Sequence, residues 1–226
     1  SFFMSRMMII SAAVAVIGLG AYFVTTPSQN SVTPFDPLGA ANAQEVSDVD
    51  TSTITDMTQG NADAPVTVIE YASYTCPHCA RFHSGPYKQL KADYIDTGKI
   101  NFVYREVYFD RYGLWASMIA RCAGTPEAFF AMSDIIYERQ SEWARAKEPA
   151  AIVDELRKIG LLAGLDAEVM ESCLQDSNKA RTLVAWYQEN ATEDGVDSTP
   201  TFVINGKKYS NMTYEEMTEV IDSVSE

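Results

Sequence analysis

The spacing of apolar and polar positions divides the chain into segments of different structural type. Val66-Thr67-Val68-Ile69-Glu70-Tyr71 is a short β-branched run that reads as a buried strand, and Ile100 to Tyr108 reads as a second. Between Arg111 and Gly195 the period changes to that of helices. Apolar positions fall at Leu114, Trp115, Met118, Ile119 and Cys122, then at Phe129, Phe130, Ile136 and Tyr137 with Ser133 among them. They continue at Ile152, Leu156 and Ile159, at Val169, Met170, Cys173 and Leu174, and at Leu183, Val184 and Tyr187. Thr125-Pro126-Glu127, Asp166 and Ser177 supply start signals, and Gly124, Gly160 and Gly164 supply breaks. A further strand, Thr201-Phe202-Val203-Ile204, leads through an Asn205-Gly206 turn into a hairpin, with a last helix from about Thr213. Strands on either side of a helical stretch predict an α/β fold with an all-helical insertion over residues 111–195, the two parts of the main domain being residues 54–110 and 196–226. No internal repeat is visible.

The N-terminal segment sets the compartment. Met4 reads as an initiator, with Ser1-Phe2-Phe3 before it unexplained, and Arg6 precedes an uncharged run of 18 residues from Met7 to Val24. That length is long for a signal-peptide core and just enough to span a bilayer. A basic residue before the run and Asp36, Glu45, Asp48 and Asp50 after it orient the remainder outward. Ala41-Asn42-Ala43 forms a small-x-small cleavage signature far beyond the run, so residues 1–24 are a signal or an anchor, and both export the rest. Residues 25–53, rich in Ser, Thr, Pro and Asn, read as a flexible tether.

Composition narrows the partners. The formal charge of −14 on 226 residues, with no Lys/Arg cluster, argues against nucleic acid. A hydrophobic content of 46% suffices for one good core. Substrate recognition is left to apolar surface, for which Tyr74 is a candidate.

Cys76-Pro77-His78-Cys79 carries the chemistry. Pro77 suits the first turn of a helix, which puts Cys76 at a strand-to-helix junction. Free N–H groups and the positive end of the helix dipole there stabilise a thiolate, and His78 adds a donor or a charge. Cys76 is then the attacking, solvent-facing sulfur, and Cys79, one turn in, resolves mixed disulfides. A zinc half-site is the competing reading of such a pair. Zinc needs four ligands, and the chain offers only Cys122, Cys173, His78 and His83 besides this pair, without suitable spacing.

Together with Thr199-Pro200-Thr201 about 120 residues downstream, the tetrapeptide resembles the thioredoxin superfamily and, within it, the DsbA-like periplasmic oxidoreductases. The likeness runs from about Val66 to the C-terminus. It implies a thioredoxin-like fold, a helical cap over the active site, and a cis Thr199–Pro200 bond whose loop abuts Cys76. Thr199 then offers backbone hydrogen bonds to a substrate strand. Glu70, six residues before Cys76, takes the place of the family's buried acid. A carboxylate flanked by Ile69 and Tyr71 in a core strand is costly to bury charged, which suits it to exchange a proton with Cys79; a strand-edge glutamate facing water is the alternative.

The resemblance implies a monomeric thiol-disulfide oxidoreductase without organic cofactor or metal, its redox group being the Cys76–Cys79 disulfide. Its partners are reduced or unfolded exported proteins and a DsbB-like membrane reoxidase. A reductase or isomerase of the same fold and a non-catalytic binder of unfolded chains are the rivals. Cys122 and Cys173 both fall on apolar helix faces, and in an exported protein such a pair favours a disulfide. Two free buried thiols and a second redox pair are the alternatives, and some DsbA-like relatives carry an extra bridge in the helical domain.

Overall fold

The computed structural model describes residues 33–38 and 48–226. The central strand β2 (Val66–Ala72) lies between β3 (Ile100–Glu106), to which it runs parallel, and β4 (Thr201–Ile204), to which it runs antiparallel. Outside them stand β1 (Met57–Gly60) against β3 and β5 (Lys207–Tyr209) against β4, both antiparallel, giving the order β1-β3-β2-β4-β5. A strand flanked on both sides and covered on both faces shows little alternation, which is why Glu70 and Tyr71 are both buried on β2. The β4–β5 hairpin turns at Asn205-Gly206, both with positive φ (44° and 84°), the conformation an Asn-Gly turn supplies.

After β2 come α1 (Pro77–Ser84), α2 (Pro86–Leu90) and a π-helical turn at Lys91–Ile95. Six helices separate β3 from β4: α3 (Arg111–Cys122), α4 (Pro126–Glu138), α5 (Gln140–Trp143), α6 (Pro149–Leu162), α7 (Ala167–Leu174) and α8 (Ser177–Glu193). The chain closes with α9 (Tyr214–Ser223), started by a capping box between Thr213 and Glu216. The starts follow cap chemistry, with Asp110, Thr125 and Asp166 accepting from first-turn N–H groups. For α8 the cap is Asp176, and Ser177 is already helical.

Gly160 does not break a helix. It lies inside α6, where a Cβ would stand 2.4 Å from Met170 Sδ, so the missing side chain lets α7 pack closely. Sheet and helices share one apolar core, in which Val68, Phe102 and Phe202 belong to the same packed cluster as Trp115, Trp143, Leu156 and Leu183. Cys122 and Cys173 are joined in a disulfide between α3 and α7.

The tether reading is corrected in part. In residues 33–38, Pro34 and Pro37 are buried, the Arg181 guanidinium lies 4.4 Å from the Phe35 ring, and Trp115 Nε1 donates to the Phe35 carbonyl at 3.5 Å. Farther on, the Thr51 hydroxyl donates to Glu189 at 2.6 Å. Phe35 supplies the apolar surface that a Ser/Thr/Pro-rich composition hides. The run from Met7 to Val24 and the Ala41-Asn42-Ala43 signature lie outside the described residues. Among the described residues no helix is long and apolar enough to cross a membrane.

Candidate active site

The end of β2 and the start of α1 form the site. Cys76 is the N-cap of α1, with extended backbone (φ −79°, ψ 118°), and Pro77 occupies the first turn, where its missing N–H costs nothing. The turn is held from three directions. The Cys76 N–H donates to the Ser73 carbonyl at 3.1 Å. The Thr75 hydroxyl donates to Asp110 at 2.6 Å, and the same carboxylate caps α3 by accepting from the Gly113 N–H at 2.9 Å. Gln140, at the start of α5, donates its side-chain amide to the carbonyls of Tyr74 and Cys76 at 2.8 and 3.0 Å.

Cys76 and Cys79 are both free thiols, so the geometry is that of the dithiol form. Cys76 is half-buried and Cys79 fully buried. The Cys76 thiol is lowered to about 5, first by a hydrogen bond from the Cys79 thiol. Burial opposes this, and the Thr199 side chain and the backbone N–H groups of Cys79 and His78 add to it. Cys79 moves the other way. Burial pushes its thiol far up, and its hydrogen bond to Cys76 and the charge of Glu70 push it further.

The Thr199–Pro200 bond is cis, and the Thr199 carbonyl accepts from Cys76 Sγ at 3.4 Å, so the two motifs meet across 123 positions of sequence. Glu70 is fully buried, and the reading of a water-facing glutamate falls. Both its oxygens lie against His83 Nε2, at 2.9 and 3.0 Å. His83 is four residues after Cys79 on the same buried face of α1, a spacing visible in the sequence although its partner was not.

Two expectations change. The His78 ring Nδ1 accepts from Arg81 Nη2 at 2.7 Å, and the His78 group that helps lower the Cys76 thiol is its backbone N–H. Tyr74 is not surface for a substrate. Its side chain is buried, with its hydroxyl 2.6 Å from Ser133 Oγ of α4, because the turn that exposes Cys76 directs Tyr74 inward. Phe109, one residue before the Asp110 that holds Thr75, is an exposed apolar residue, 54% accessible.

The family description Thioredoxin matches residues 52–223. A crystal structure of Wolbachia pipientis α-DsbA1 superposes with a TM-score of 0.71 at 27% identity, covering 76% of this chain and 91% of that one. The chain belongs to the DsbA-like branch of the thioredoxin family. A Rickettsia bellii protein provisionally named a protein-disulfide oxidoreductase is 36% identical over 171 residues, 76% of this chain and 65% of that protein. The Bacillus subtilis disulfide bond formation protein D is 25% identical over 173 residues, 72% of this chain and 74% of its own length. The match thus spans slightly less than two thirds of the Rickettsia bellii relative's length. The DsbA-like fold accounts for the helical segment between β3 and β4, a thioredoxin-like sheet carrying a helical insertion.

Proposed function

We propose that this DsbA-like chain is a periplasmic thiol-disulfide oxidoreductase that donates the Cys76–Cys79 disulfide to exported proteins. The observation that carries the reading is the opposite displacement of the two thiols, Cys76 lowered to about 5 and Cys79 raised. A stabilised Cys76 thiolate stabilises the reduced protein, and a couple whose reduced form is favoured is a strong oxidant.

In the oxidising step a client thiolate attacks Cys76 Sγ, the Cys76–Cys79 bond breaks, and a client–Cys76 disulfide forms. Cys79 leaves with the electron pair and takes up one proton. A second client thiolate then attacks the client sulfur of the mixed disulfide, closing the client's own disulfide and releasing Cys76 as a thiolate. The client has lost two electrons and the Cys76–Cys79 pair has gained them. No organic cofactor or metal enters the scheme. A membrane partner of the DsbB kind, passing the electrons to a quinone, restores the disulfide.

Thr199, beside Cys76, presents backbone groups along which an extended client segment can lie. Phe109 supplies the apolar contact expected around the site, so an unfolded client with exposed apolar side chains fits it better than a small thiol. The names of the Rickettsia bellii and Bacillus subtilis relatives support disulfide chemistry.

The test is the reduction potential of the Cys76–Cys79 pair, measured against a glutathione buffer, with oxidation of a reduced client followed alongside. A potential in the range of strong oxidants, with client oxidation abolished by Cys76→Ser, is the expected outcome. A potential near that of thioredoxin would make the protein a reductase. Binding of unfolded chains unaffected by Cys76→Ser would make it a holding protein.

A further inference from the structure

Cys79 is inaccessible to water, and the displacement of its thiol means that a free thiolate there is short-lived. Whichever way exchange runs, the proton that Cys79 gains or loses has to cross the interior. On one side stands Cys76, itself engaged in the exchange. On the other stand Glu70, whose charge acts on the Cys79 sulfur, and His83, in contact with both Glu70 oxygens.

His83 also forms part of the wall of a cleft of about 480 Å³, together with Ala80 and Ser84 of α1, Lys88 of α2, and Asp134 and Tyr137 of α4. The residues lining it do not include Cys76. The volume is ample for several waters. The ring is 4% accessible, and its Nδ1, itself buried, has no hydrogen-bond partner among the described residues. An imidazole with a purely structural task would satisfy both nitrogens, since an unpartnered buried polar atom costs stability. An imidazole that passes protons needs one nitrogen on the acid and the other within reach of a water, which here has to enter from the cleft that His83 borders.

We propose that His83 carries the proton between Glu70 and this cleft, so that the buried sulfur exchanges protons with solvent from behind the active site. The inference rests on the oxidoreductase reading. When the Cys76–Cys79 bond opens, the departing Cys79 sulfur takes a proton from the Glu70 carboxyl. Glu70 regains one from His83 Nε2, and His83 takes one from water at Nδ1. Closing the disulfide runs the same transfers outward. No oxidant beyond the client or reoxidising partner is needed, because only protons move along this line.

His83 acts through Glu70 and is a positioning residue. The groups that face it are Glu70 from β2, Cys79 from its own helix, Tyr87 and Lys88 from α2, Tyr104 from β3, and Asp134 and Tyr137 from α4. The ring stacks on Tyr137 at 4.3 Å between centroids and lies 4.5 Å from Tyr87, which fixes its plane while leaving Nδ1 unpaired.

The experiment uses His83→Gln, whose amide N–H still donates to Glu70 but relays no proton. Oxidised protein is mixed with a single-cysteine peptide, and formation and reclosure of the Cys76–peptide disulfide are followed by acid quench across pH. Both rates are expected to fall by about tenfold or more, and imidazole added to the buffer to restore them in part. Alkylation of Cys76 in the reduced variant should keep the wild-type rate. Unchanged exchange rates would overturn the proposal, as would a slowing that is the same at every pH and indifferent to imidazole, which is the mark of lost packing. If the variant does not fold, the wild-type ring decides. Exchange of the His83 imidazole N–H proton with water, read from ¹⁵N spectra, must be faster than turnover, and a proton protected for longer overturns the inference. A wild-type protein that forms no mixed disulfide at all would instead sink the oxidoreductase reading.

Discussion

Gln140 holds the backbone of Cys76 from another part of the fold, its amide donating at 3.0 Å to the Cys76 carbonyl from the first residue of α5. The same amide donates to the Tyr74 carbonyl at 2.8 Å. A nucleophile on a turn has no ladder to fix it, so these two bonds tie the geometry of the sulfur to the helical segment. Gln140→Ala is expected to lower the stability of the reduced protein by about 1–3 kcal/mol, the cost of taking the Gln140 donor from the Tyr74 carbonyl while the Cys76 carbonyl keeps the Ala80 N–H at 3.1 Å. Gln140→Glu should cost more near neutral pH, because a carboxylate would face two carbonyl oxygens. Urea unfolding of the three proteins checks the order, and Ala and Glu variants equal to wild type would show that the turn holds itself.

The bridge between Cys122 and Cys173 spans 51 positions and links α3 to α7 at the flank of the helical segment. Its stabilising effect is on the unfolded chain, and a loop of this length corresponds to about 4 kcal/mol in the chain-entropy model. Replacing both cysteines with alanine should lower stability by a few kcal/mol and leave the alkylation rate of Cys76 unchanged. Peptide mapping under non-reducing conditions gives the pairing directly. Loss of client oxidation in a folded double variant would assign the bridge a redox role.

Much of this site could be read from spacing, because its chemistry is local. Cys76-Pro77-His78-Cys79 is itself a helix start, and the β-branched runs on either side of the helical stretch are the central strands. What stayed hidden depends on tertiary contact. The strand β1 is four residues with Met57 alone buried, too little for a periodic signal. Tyr74, next but one to Cys76, looked like a surface residue, and only the course of the turn shows that it packs under α4. Gln140 and Asp110 reach the active-site turn from 64 and 35 residues away, and a lone Gln or Asp in a helical region carries no mark of that task. Gly160 has the residue type of a break and the role of a packing notch, a distinction made by Met170 across the helix pair.

Phe109 provides a test of where clients bind. The residue is more than half exposed and directly precedes the Asp110 that holds the active-site turn, and partly covering it on binding is worth about 1 kcal/mol, or roughly fivefold in affinity. Phe109→Ser should therefore raise KM for an unfolded protein client by about that factor with little change in kcat. Oxidation of a small dithiol without apolar groups should proceed at the wild-type rate. An equal loss for both substrates would indicate that the substitution disturbs the Asp110 contact to Thr75, and the assignment of Phe109 to client binding would be withdrawn.

The lowered Cys76 thiol makes a signed prediction about pH. In the unfolded chain this thiol has its ordinary value of 9.0, and in the reduced native protein it lies at about 5. Between these values the unfolded state binds the extra proton, so the stability of the reduced protein rises with pH across this window, is fully present above it, and is lost as pH falls through about 5. The oxidised protein has no thiol at this position and lacks that slope. Above the ordinary thiol range Cys79 acts with the opposite sign, since its native form keeps a proton that the unfolded chain has released, and the gain turns over. Iodoacetamide modification of Cys76 should accordingly reach half its maximal rate near pH 5, with Cys79 unreactive in the native state. Denaturant unfolding of both redox forms at a series of pH values measures the difference. Parallel curves for the two forms from pH 5 to 9, together with alkylation that begins only near the ordinary thiol range, would remove thiolate stabilisation as the support for the proposed oxidase role.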